Sequence, residues 1–76
     1  MAAVSLAQAP LKTPLVLLDS GGGSLDRRLV GFGLRPGSRL VLAQRTAGGG
    51  RVALVGGSRV ALGAEVLREV TVEVSE

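Results

Sequence analysis

The sequence predicts a mostly β fold: a small barrel of about five strands with one short α-helix after the first strand. Three features predict it. Short runs of Val and Leu recur along the chain, and such side chains suit a pleated, half-buried surface. Glycine-rich punctuation separates the runs, including Gly56-Gly57, a two-residue hairpin signal. Only one stretch, Ser24 to Phe32, places its apolar residues at helical spacing.

The elements follow in order. Residues 1–13 show no clear element, and Pro10 and Pro14 disfavour a helix between them. Leu15 to Asp19 reads as the first strand, and Asp19 to Ser24 as a loop with three glycines. Ser24 is assigned as the helix N-cap, with Asp26 in the first turn where the helix dipole favours an acid. Leu25, Leu29 and Phe32 form one stripe, which assigns Phe32 to the core and leaves Arg27 and Arg28 off the stripe. Gly33 follows where a left-handed residue ends many helices. Arg35-Pro36-Gly37 reads as a rigid turn, since Pro presets φ and Gly supplies a positive φ.

The second half reads as repeated strands. Arg39 to Gln44 places Leu40 and Leu42 on one side, and Arg51 to Val55 places Val52 and Leu54 on one side. After the Gly56-Gly57 hairpin, Ser58 to Leu62 turns Val60 and Leu62 inward. Gly63 to Val66 reads as a turn or one helical turn. Leu67 to Val74 reads as the last strand, with Val70, Val72 and Val74 alternating against Thr71 and Glu73. Closure of these strands into a barrel would remove exposed edges. No second domain or internal repeat is visible, so residues 1–76 are expected to form one domain.

Composition narrows the function. A chain of 76 residues buries only about 60% of the surface its unfolded form exposes. That leaves little room for a deep, dry active site. The chain has no His and no Cys, which removes the usual general base and the usual nitrogen and sulfur metal ligands. Asp19, Asp26, Glu65, Glu69, Glu73 and Glu76 show no paired spacing. No catalytic residue, cofactor or metal ligand is assigned, and an enzyme is not expected. The loop before the helix lacks the Lys and Ser/Thr of a phosphate-binding loop, because Leu25 follows Ser24. Met1 to Pro10 lacks the basic start and apolar stretch of a signal peptide. The run Leu15 to Leu18 is far short of the roughly 20 residues that cross a bilayer. A cytoplasmic protein without membrane insertion is therefore expected, in keeping with the absence of disulfides.

The net charge of +3 raises nucleic-acid binding as the alternative. Arg39, Arg45, Arg51 and Arg59 could line one barrel face. The aromatic platform on which bases stack is missing, since Phe32 is the sole aromatic. Arg outnumbers Lys eight to one in a chain rich in Ala, Gly, Val and Leu. A GC-rich coding bias explains that excess without phosphate contacts. Nucleic acid is not the expected partner.

Arg28-Leu29-Val30-Gly31-Phe32-Gly33-Leu34-Arg35-Pro36-Gly37 resembles the FeoA family segment Arg-Leu-x-x-Leu-Gly-Leu-x-Pro-Gly, with Phe32 in place of the usual Leu. Downstream, Arg51 to Leu54, the Gly56-Gly57 hairpin and Val60-Ala61-Leu62 are similar to that family's later strands, and Glu65 lies where an acid often follows. Two positions depart: Pro10 to Pro14 lacks an early Gly, and Leu67 stands where a small Ala is common. The resemblance spans about residues 5–74. It implies an SH3-like barrel and family-level transition-metal connections. It also implies a cytoplasmic accessory role beside FeoB, the membrane ferrous-iron transporter, whose cytoplasmic part would be the partner. Self-association is compatible with it. On this reading Arg27, Arg28 and Arg35 are the partner-binding residues, and Gly33, Pro36 and Gly37 shape the turn that follows the helix. The reading expects residues 24–37 to plug a closed barrel, leaving an outer surface for binding, and an open sheet would overturn the docking reading built on that plug.

Overall fold

Two consecutive hairpins and a return strand build the architecture, which a computed structural model describes for residues 3–19, 21 and 23–75, and for residues 23–26 as backbone alone. In chain order the elements are β1 (Val4–Ser5), β2 (Pro14–Asp19), α1 (Gly23–Gly31), β3 (Arg39–Arg45), β4 (Arg51–Val55), β5 (Ser58–Leu62), α2 (Ala64–Glu69) and β6 (Thr71–Val74). A single 3-10 turn, Ala47–Gly49, joins β3 to β4. All strand pairs are antiparallel, in the order β1-β6-β2-β3-β4-β5.

The core is aliphatic. Leu15 and Leu17 of β2, Leu40 and Leu42 of β3, Ala53 and Val55 of β4, Val60 and Leu62 of β5, and Val72 of β6 are buried. Leu29 and Leu34 at the end of α1, and Leu67 and Val70 around α2, join the same core. Leu6 and Ala9, between β1 and β2, complete it. Burying each such Leu or Val side chain contributes about 1.5–3 kcal/mol, and the alanines less. With no aromatic in the core, the fold depends on many modest contacts.

The segment before β2 is held by an arginine. The Nη1 of Arg51 donates to the carbonyls of Leu6 (3.2 Å) and Ala9 (2.6 Å), and its Nη2 donates to that of Ala7 (2.6 Å). The Leu6 amide donates to the Val70 carbonyl at 2.7 Å and the Ala7 amide to the Leu67 carbonyl at 3.2 Å. Backbone groups of residues 6–9 thereby find partners as Leu6 and Ala9 turn inward. Among the described residues, no buried side-chain polar atom lacks a hydrogen-bond partner.

Several expectations are corrected. Among the described residues the sheet has six strands, not about five, because residues 4–5 add a strand on β6. Among the described residues two α-helices are present, not one: Leu67 to Glu69 belong to α2 instead of the last strand, which starts at Thr71. Among the described residues β1 and β5 end the ladder without pairing to each other, so the strands do not close into a barrel. The chain between β5 and β6 is spent on α2, and β1 occupies one edge of β6. β4 turns Ala53 and Val55 inward, not Val52 and Leu54; Leu54 is 37% exposed. The hairpin decides this. Gly56 and Gly57 both take positive φ (54° and 88°), and Val55 faces Ser58, which puts Ala53 opposite Val60 on the same face. The N-cap assigned to Ser24 falls inside α1, and its side chain, with those of Leu25 and Asp26, lies outside the described residues.

Arg51→Ala is expected to lower stability in urea unfolding by about 1.5–3 kcal/mol, the scale of hydrogen bonds to a charged group. Arg51→Lys is expected to recover only part of that loss, since an ammonium lacks the planar fork that spans several carbonyls.

Candidate docking surface

The end of α1 shapes this surface. The Leu34 amide donates to the Leu29 carbonyl at 2.8 Å and the Gly33 amide to the Val30 carbonyl at 2.9 Å. With Gly33 at φ 85°, this pair of bonds is a Schellman C-cap. The cap reverses the chain and folds Leu34 back beside Leu29, and both are buried. Phe32, one residue past the helix, is left outside and 48% exposed. The helical stripe placed it in the core; Leu34 fills that role, because the 3.6-residue period ends where the left-handed Gly33 begins.

A type II turn follows. Ser38 donates its amide to the Arg35 carbonyl at 2.9 Å, with Pro36 and Gly37 (φ 93°) in the central positions. The Ser38 hydroxyl accepts from the Arg35 amide (3.1 Å) and donates to the Gly33 carbonyl (3.2 Å). The Gly37 amide donates to Leu17 and the Leu17 amide to Ser38, at 2.8 and 2.9 Å. Gly33, Pro36 and Gly37 thus sit in one corner tied to β2.

The three arginines assigned to partner binding are exposed, and of them Arg28 is among the groove-lining residues. Arg28 lines a shallow groove of about 80 Å³ with Leu29, Phe32, Ala61, Leu62, Gly63 and Val66. Arg27 lies beside it on α1, outside the groove lining, and Arg35 stands on the turn beyond the cap. Sequence reasoning missed Phe32, Ala61 and Val66 as groove walls. The usable signal was Gly33, since a left-handed cap predicts that the residue just after the glycine, here Leu34, folds inward and not the one before it.

Among the described residues no group of three or more His, Cys, Asp or Glu could hold a metal ion. No described helix is long and apolar enough to cross a membrane. The groove walls carry one charged side chain, Arg28, and no carboxylate or hydroxyl side chain.

The FeoA domain model matches residues 4–74. This chain belongs to the FeoA domain family. The FeoA fold is seen in solved structures. An iron uptake regulatory protein (FeoA) is 26% identical with a TM-score of 0.82, over 96% of this chain and 97% of that one. Iron(II) transport protein A from Clostridium thermocellum is 25% identical with a TM-score of 0.83, over 93% of this chain and 45% of that one. IdeR from T. acidophilum, 17% identical with a TM-score of 0.83, shares the fold over 99% of this chain and 35% of its own. No curated protein matches.

Gly33→Ala is expected to cost about 1–2 kcal/mol, the penalty of a Cβ in the left-handed region. Phe32→Ala, at an exposed site, is expected to shift stability by no more than about 0.5 kcal/mol. Chemical denaturation of both variants checks the pair. Equal losses would contradict the inward role of Leu34 and the outward one of Phe32.

Proposed function

We propose that this FeoA domain is a cytoplasmic accessory protein of bacterial ferrous-iron uptake that docks on the cytoplasmic part of the membrane transporter FeoB. The match to the FeoA domain over residues 4–74 carries this reading, and the solved relatives described as iron uptake and iron(II) transport proteins support it. Barrel closure, the premise of the docking reading drawn from the sequence, does not support it, since among the described residues the strand ladder is open and that premise fails. The surface does: Phe32 and Val30 are exposed apolar groups on a chain of net charge +3, next to exposed Arg27 and Arg28. Apolar anchors ringed by arginine are the composition that interface cores favour.

Association of the full chain with the transporter's cytoplasmic part is expected in the micromolar range by calorimetry. Absence of any association at tens of micromolar would overturn the proposal. Charge reversal of Arg27, Arg28 and Arg35 together is expected to weaken binding by about tenfold and to flatten its salt dependence. A steep salt-dependent shift with RNA or DNA, with no response to the transporter, would instead favour nucleic-acid binding.

A further inference from the structure

β5 is an edge strand whose second side faces no other strand among the described residues. Its register fixes which backbone groups point there. Val55 faces Ser58 across the two-residue turn, Ala53 faces Val60, and Arg51 faces Leu62. In such a hairpin these are the hydrogen-bonded pairs, so the amides and carbonyls of Ser58, Val60 and Leu62 are used by β4. Those of Arg59 and Ala61 point to the open side.

That open side adjoins the groove. Ala61, Leu62 and Gly63 form one of its walls, and Phe32, Leu29, Val66 and Arg28 the rest. Arg59 shares a strand face with Ala61 and is exposed, as Ala61 is. An unpaired strand edge thus runs beside an apolar slot that has a cation at its wall and another two residues along the edge.

We propose that β5 receives an extended acidic-apolar segment of a partner protein as an added antiparallel or parallel strand, bonded to the main chain of Arg59 and Ala61. One apolar side chain of that segment enters the slot against Phe32 and Val66, and its carboxylates meet Arg28 and Arg59. Strand addition draws affinity from main-chain bonds and specificity from side-chain pockets. Charge selects the occupant. A second copy of this chain, with net charge +3, would bring two sets of Arg28 and Arg59 to one seam. An acidic segment removes that repulsion. The proposal deepens the docking role and rests on it for the identity of the partner.

Backbone amide exchange on the full chain tests this, with two probes: the transporter's cytoplasmic part, and a peptide of about ten residues alternating Glu with Val, with a Lys-for-Glu control. With the transporter part, the Arg59 and Ala61 amides are expected to exchange at least about tenfold more slowly. Ala61→Pro removes an amide that no strand uses, and proline is tolerated at such edge positions. It is expected to abolish binding while the remaining amide spectrum stays native. Arg59→Glu is a second variant that leaves the backbone untouched, with an expected loss of about tenfold.

Transporter binding with the two amides unprotected, or unchanged by both variants, would overturn strand addition and leave the docking role standing. Protection by the Glu-Val peptide but not by its Lys control, without transporter binding, would support the edge site and remove the transporter as its partner. Protection that rises with protein concentration alone would make a second copy the occupant and overturn the proposal. No response to either probe would overturn both readings.

Discussion

One guanidinium sets the terms for the rest of the fold. Arg51 reaches from β4 to the carbonyls of Leu6, Ala7 and Ala9, so the segment after a strand too short to be stable alone is held in place. Its two-residue strand would add little alone. What it contributes is Leu6 and Ala9, which seal a core built without aromatic side chains. Holding that segment from β4 ties it to a distant part of the sheet, while Leu6 and Ala7 also bond to Val70 and Leu67. The bonds are charge-assisted, and the fork geometry of arginine suits several carbonyls at once.

A second constraint acts at the end of α1. The left-handed Gly33 makes the chain turn back, and Leu34 rather than Phe32 becomes the buried partner of Leu29. The only aromatic side chain is thereby placed on the surface, against the slot formed with Ala61 and Val66. The corner beyond it is tied to β2 through Leu17, Gly37 and Ser38. A rigid cap and a tied corner let an exposed apolar group keep its place. The interior is filled by aliphatic side chains, and its buried side-chain polar atoms are satisfied among the described residues.

Particular residues show how far local patterning reaches. Val60 and Leu62 face inward as their alternation requires, and Leu40 and Leu42 do the same. Val52 and Leu54 do not, although a two-residue hairpin already implied it. Once Val60 is inward, its cross-strand partner Ala53 must share that face. The open edge was harder to foresee. Leu67 carries an apolar side chain that fits a strand or a helix equally well, and its place in α2 comes from packing on the core and from its amide bond to Gly63.

The sequence by itself determined the mostly β character, the Gly56-Gly57 hairpin, the absence of His and Cys chemistry, and a resemblance that the match over residues 4–74 made a family membership. Each of these is written in residue type or in spacing of a few positions. Tertiary structure alone decided the strand at Val4–Ser5, the clamp by Arg51, the exposure of Phe32, and the juxtaposition of β5 with the groove. These depend on groups tens of residues apart meeting in space, and no local period records such a meeting.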